Sequence, residues 1–298
     1  MLSINLVYQE LVCSFPPEYR SLANELPYRL GLCATPEDSW EGFVQLEPNR
    51  DLPYFVAQHP REPEQFILPS ERLALFHRAH MYGGFNFLLS DRLADQQVTP
   101  TRALCELQKL LFSAWSQSLH DASLAGEFTQ IQLQTAQQRW QIAVQREQAA
   151  LHSKEITLAN YIEIVHDKLS WIRTSAICLL FAAKETARIP AFCRAHSLLL
   201  LSLQCLDDAD DQREDLITRG CSIPQALNLP PQSLIRASPK IARLAADIAR
   251  EGGFLRLAMW LDARAHAVDH PIPSETSLQN EMAAFVLSEF ARAHQVVL

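Results

Sequence analysis

Through the middle of this chain the apolar positions recur at helical rather than strand spacing. A long helix is predicted over residues 70–95, SERLALFHRAHMYGGFNFLLSDRLAD, entered after Pro69 with Ser70 as N-cap. Gly83 and Gly84 interrupt it, either as a kink or as a place where another element comes close. The next helix opens at Thr99-Pro100, with threonine capping and proline in the first turn, and covers 101–120. Further helices are expected over 127–151, 157–188 (ended by Pro190), 191–216, 231–250, 254–267 and 274–297. Residues 1–69 are proline-rich and irregular, with apolar segments at 4–12 and 21–32 that suit short helices packed on a larger body. No repeat and no low-complexity linker divides the chain, so the pattern predicts one all-α domain over residues 1–298.

Composition supports this reading and removes some function classes. Hydrophobic residues make up 48% of the chain and glycines number only 8, which favours a large helical core over a turn-rich β protein. None of the 17 prolines falls between Pro100 and Pro190, leaving that stretch free for long helices. A net charge of −8 without any Lys/Arg run argues against nucleic-acid binding. The 7 cysteines (Cys13, Cys33, Cys105, Cys178, Cys193, Cys205, Cys221) are odd in number and lack CxxC spacing. They read as reduced, mostly buried thiols rather than a disulfide frame or zinc site. No signal-peptide pattern opens the chain, and the most apolar run, 198–206, is too short for a membrane span. The expectation is a soluble cytoplasmic protein, with monomer and homodimer both open.

Candidate chemistry concentrates in LSLQCLDDADDQREDL, residues 201–216. Asp207, Asp211 and Asp215 follow at i, i+4 and i+8, one carboxylate stripe on a helix, and Asp208 lies about 100° round from Asp207. Like charges at the end of an apolar helix require a cation or a basic partner. All-oxygen donors suit a hard divalent ion, above all Mg²⁺ bridging to substrate phosphates. The bland alternative is a solvated acidic helix end, or a salt-bridge network with Arg213 and Arg219. A second pair, Asp91 and Asp95 in SDRLAD, stands one turn apart at the end of another apolar helix. If the two helices face each other across a cavity, their carboxylates could hold a metal cluster around one diphosphate.

The segment from Gln204 to Asp211, QCLDDADD, resembles the second aspartate-rich motif of trans-prenyl diphosphate synthases. Asp91 to Asp95 resembles their first motif, with Arg92 where the second aspartate of DDxxD would stand. Squalene and phytoene synthases carry a DxxxD form there. The longer string DDADDQREDLITRGCSIP resembles bacterial class I isoprenoid enzymes, in which an Asp-rich helix is followed by Glu-Asp-Leu, a glycine and a proline. YIEIVHDKLS, residues 161–170, resembles the family helix whose lysine, followed by Thr or Ser, contacts diphosphate, though Leu169 intervenes here. The resemblance covers roughly residues 70–220.

It implies a helical bundle of the isoprenoid synthase type with an active-site cavity between helices. Asp91, Asp95, Asp207, Asp208 and Asp211 would hold a Mg²⁺ cluster, and Lys168, Arg173 and Arg213 would meet the phosphate oxygens. The implied substrate is an allylic prenyl diphosphate, with Phe85, Phe87, Trp171 and Phe181 as aromatic candidates to stabilise its cation, against ordinary core as the simpler reading of each. His166 receives no catalytic role. Gly83-Gly84 is followed by Phe and Asn rather than the Gly-Gly-Lys-x-Arg pattern of the isopentenyl diphosphate site, and the Asn/Ser/Glu motif of microbial terpene cyclases is absent. Cyclisation is preferred because no second diphosphate site is visible. Prenyl transfer to a small-molecule acceptor other than isopentenyl diphosphate, including head-to-head condensation, follows, and a non-catalytic subunit of the same fold remains a third reading.

Overall fold

The structure, a computed structural model, describes residues 3–35, 40, 47–62 and 65–268. The expected helix at 274–297 lies outside these. Among the described residues the secondary structure is helical, with one isolated antiparallel bridge, Gln58 to Phe66, and no strand. Short helices lead: α1 (Ile4–Ser14), α2 (Pro17–Asn24), α3 (Leu26–Arg29), α4 (Glu47–Arg50) and α5 (Leu52–Val56). The long middle elements are α6 (Ser70–Ala94), α7 (Arg102–Ser123) and α8 (Gly126–Ser153), followed by α9 (Leu158–Lys168) and α10 (Thr174–Ala182). Then come α11 (Ile189–Asp210), α12 (Gln212–Thr218), α13 (Ile223–Ala226), α14 (Pro231–Glu251) and α15 (Leu255–Val268).

Three expected boundaries move. The N-cap of α6 is Pro69 and Ser70 is its first helical residue. The N-cap of α7 is Thr101, whose side chain accepts from the Leu104 N–H at 3.2 Å, so the cap lies two residues beyond Thr99. The single helix expected over 157–188 is broken: α9, a 3₁₀ turn Ser170–Arg173, α10 and a second 3₁₀ turn Thr186–Arg188 replace it. Pro190 sits in the first turn of α11 and begins that helix rather than ending its predecessor, because its missing N–H is unneeded there.

The residues fall into two compact units. Of the described residues, the first comprises those within 3–135 and 171–186, the second those within 136–170 and 187–268. In the first, α6 packs along α7, and α10 packs against α5, α6 and α7. Tyr8, Trp40 and Phe85 form an aromatic cluster with ring centroids 4.7 to 5.1 Å apart, inside a core built with Leu11, Leu26, Leu89, Leu107 and Leu111. Gly83 admits the indole of Trp115: a Cβ there would lie 2.9 Å from Nε1. Of the two glycine readings, close approach is the one realised.

In the second unit α11 packs on α14, and α14 on α15. Buried Ala242, Ala245, Ala246 and Ala249 keep α14 slim on its inner face. Ser202 and Ser238 each donate their hydroxyl to the other's carbonyl, at 3.0 and 2.8 Å, tying α11 to α14 without an unsatisfied polar atom. Residues 186–210 are long and apolar enough for a membrane span by composition alone, and 56% of that window is buried in protein, as in a core helix. The cysteines are all unbonded: Cys178, Cys205 and Cys221 are buried, Cys33, Cys105 and Cys193 partly so, and Cys13 is exposed.

Candidate functional site

The aspartate cluster sits where α11 leaves the core of the second unit. Leu198 to Leu201 are buried, and two turns later the helix carries Asp207 and Asp208. Backbone hydrogen bonding continues across the single-residue join to α12: Asp211 N–H donates to Asp207 O and Asp215 N–H to Asp211 O, each at 2.9 Å. The expected stripe is therefore kept by the main chain. Asp207, Asp210 and Asp211 are exposed, and Asp215 pairs with Arg219 at 3.4 Å.

The two adjacent aspartates face different surroundings. Asp208 is 8% exposed and its oxygens accept from two protein donors, Tyr161 Oη at 2.6 Å and Gln204 Nε2 at 2.9 Å. Burial, which outweighs these bonds, pushes its carboxyl up to about 7. Asp207 is also raised, by the crowding of protein around it and then by Asp211, with Gln204 and Lys168 acting the other way. Its side chain nonetheless reaches solvent. That exposure governs, because an aspartate open to water on one side still ionises readily at neutral pH.

Lys168 lies at the end of α9 in the same unit, with Nζ 2.8 Å from Glu147 Oε2 and both side chains largely buried. Next to it His166 Nδ1 meets Ser197 Oγ at 3.1 Å, and Arg139 approaches Asp167 at 3.9 Å. The structure thus gathers Asp207, Asp208, Lys168, Glu147, Tyr161 and Gln204 at the meeting of α8, α9 and α11. Of these, Tyr161 and Glu147 were not singled out by the sequence. The available signal was Tyr161 itself: a tyrosine among apolar helix positions, two turns before Lys168, needs a partner for its hydroxyl.

The remaining candidates are placed as follows. Asp91 and Asp95 close α6 in the first unit, both half-buried, with Asp95 N–H bonded to Asp91 O. Arg92 donates to Gln97 Oε1 at 2.8 Å. Arg173 is buried and belongs to the first unit, whereas Lys168 belongs to the second. Arg213 is exposed on α12. Among the aromatics, Phe85 is core; Phe87 stacks on Trp171 at 4.2 Å and Phe181 on Phe128 at 3.9 Å, all four half-buried.

Among the described residues no three His, Cys, Asp or Glu side chains converge as the ligands of one ion. The donor set still fits Mg²⁺, which takes one or two carboxylates and keeps water or phosphate at its other positions. Asp207 and Asp211, exposed and one turn apart, are such a pair. Comparison with protein-family models, with curated proteins and with solved structures returns no match.

Proposed function

We propose that this protein is a Mg²⁺-dependent class I isoprenoid synthase that ionises an allylic prenyl diphosphate, used first for cyclisation and alternatively for prenyl transfer. The observation that supports it best is the exposed pair Asp207 and Asp211 at the end of a core helix. Bound Mg²⁺ would supply charge neutralisation of the diphosphate as it leaves. Asp207 and Asp211 would hold it, and Lys168 and Arg213 would bind phosphate oxygens; the other candidates, Asp91, Asp95 and Arg173, lie in the first unit. A non-catalytic role is favoured by one observation: Lys168 and Arg219 are already paired with Glu147 and Asp215.

Turnover separates the two. With Mg²⁺ the protein is expected to release pyrophosphate from geranyl, farnesyl or geranylgeranyl diphosphate, alone or with an acceptor, and chelation to abolish release. Asp207→Asn is expected to lower kcat by roughly 10²-fold, the scale of losing one preorganised charge-stabilising group. Asp210→Asn is expected to cost less, since Asp210 lies off the Asp207–Asp211 stripe, about 60° from Asp207 and about 100° from Asp211. Equal activity in both variants, or release that survives chelation, would leave the aspartates as a solvated helix end.

A further inference from the structure

We infer that Asp208 is a brace rather than a metal ligand, and that Tyr161 is a positioning residue acting through it to set Lys168 beside Asp207 for an anionic ligand. The identity of that ligand rests on the function proposed above; the bracing geometry does not.

Three observations carry the inference. Asp208 points inward while Asp207, one residue earlier, points out, and each oxygen of Asp208 already accepts from a protein donor. Tyr161 is 2% exposed, so its hydroxyl has been taken out of water to make this bond at 2.6 Å. Seven residues, two helical turns, separate Tyr161 from Lys168, so both lie on the same face of α9. One residue grips the end of α11; the other grips Glu147 at 2.8 Å, and its charge is felt at Asp207. Removing the phenolic oxygen leaves a buried oxygen of Asp208 without its donor and cuts the polar tie that fixes where Lys168 stands. The His166–Ser197 bond at 3.1 Å is a separate tie between α9 and α11, so the helix stays docked when the first is cut.

A ligand and a brace respond oppositely to two conservative changes. Asparagine at position 208 keeps an oxygen for the Tyr161 hydroxyl, and its amide meets Gln204, whose own amide turns to present oxygen and gives up its 3.2 Å bond to Asp207 Oδ2. Asp208→Asn therefore preserves a brace but destroys a ligand, whereas Tyr161→Phe does the reverse. The first measurement is acetylation of Lys168 in the full chain by substoichiometric acetic anhydride, followed by mass spectrometry with exposed Lys109 as internal control. Tyr161→Phe is expected to raise Lys168 labelling severalfold and Asp208→Asn to leave it unchanged. The second is Mg²⁺-dependent binding of inorganic pyrophosphate by calorimetry. Tyr161→Phe weakens it by about 10–100-fold, as loss of a partner that orients a site does, and Asp208→Asn by no more than a few-fold.

Unchanged Lys168 labelling in Tyr161→Phe overturns the inference, as does loss of pyrophosphate binding in Asp208→Asn alone. If the wild-type protein binds no pyrophosphate, the proposed function falls while the labelling still decides the brace. Should Tyr161→Phe not fold, Asp208→Ala, which removes the acceptor of the same bond, takes its place with the same rise in Lys168 labelling expected.

Discussion

His80 lies inside the first unit with both ring nitrogens engaged, Nδ1 to Ser175 Oγ at 2.7 Å and Nε2 to the main-chain oxygen of Asn49. A carbonyl only accepts, so Nε2 carries the hydrogen and Nδ1 accepts from the serine. Burial holds this imidazole neutral, lowering its pKa to about 4. As pH falls below its ordinary value of 6.5, the unfolded chain takes up the proton first. His80 thus contributes stability above that value and loses it as pH drops through about 4, roughly 3 kcal/mol in all. Asp208 has the opposite sign. Its folded pKa is raised from 3.8 to about 7, so its contribution is present below 3.8 and is lost as pH rises through 7, on the order of 4 kcal/mol. Asp51, bonded to His77 and Arg50, stands aside: burial pushes it up, the two partners outweigh that, and it titrates near 2. The two opposing groups flatten the wild-type profile between about pH 4 and 7. Denaturant unfolding should show stability falling with rising pH in His80→Gln and rising with pH in Asp208→Asn. Parallel profiles for both variants would mean that these groups do not carry the pH dependence.

Helix ends, more than helices, separate what was readable in the chain from what was not. The long elements were legible because apolar spacing fixes which face is buried, as in α7 and α14. The breaks after α10 and α13 were not, because their left-handed residues are Lys184 and Asn228 rather than glycine; the ends of α6 and α8 fall within two residues of the expected ones. At Lys184 the Glu185 N–H bonds to Leu180 O at 2.8 Å, closing a Schellman turn that no glycine announces. The same limit applies to the site. Carboxylate spacing was readable because it is local to one helix, whereas the Tyr161–Asp208 bond joins residues 47 apart. Gly83 and Gly84 show how little of such packing a sequence displays, since adjacent identical residues have opposite surroundings. A Cβ at Gly83 would press on the buried Trp115 indole, while one at Gly84 meets nothing within 4 Å. In thermal unfolding Gly83→Ala should destabilise by about 1–3 kcal/mol through overpacking. Gly84→Ala should stabilise by up to about 1 kcal/mol, the helix-propensity difference. Equal shifts in the two variants would contradict the close approach of α7.

At the scale of the whole molecule the charge distribution makes the sharpest demand. The chain carries a net −8, and 207–215 alone holds Asp207, Asp208, Asp210, Asp211, Glu214 and Asp215 against Arg213. A diphosphate approaching that surface meets a like-signed field, and the half-buried Lys168 and Arg219 are already shared with Glu147 and Asp215. Favourable binding of such an anion there requires a cation brought with it. Mg²⁺ and pyrophosphate should therefore bind with strong positive coupling: each is weak alone, and each raises the affinity for the other by the same factor, as linkage requires. Calorimetry with Mg²⁺ at fixed pyrophosphate, and the reverse, measures that factor twice. A value of about 10-fold or more in both directions, reduced by Asp207→Asn, supports a metal-bridged anion site. Tight pyrophosphate binding in a chelating buffer would instead place the anion on basic residues alone, and the aspartates would then have to be explained as a solvated end of α11.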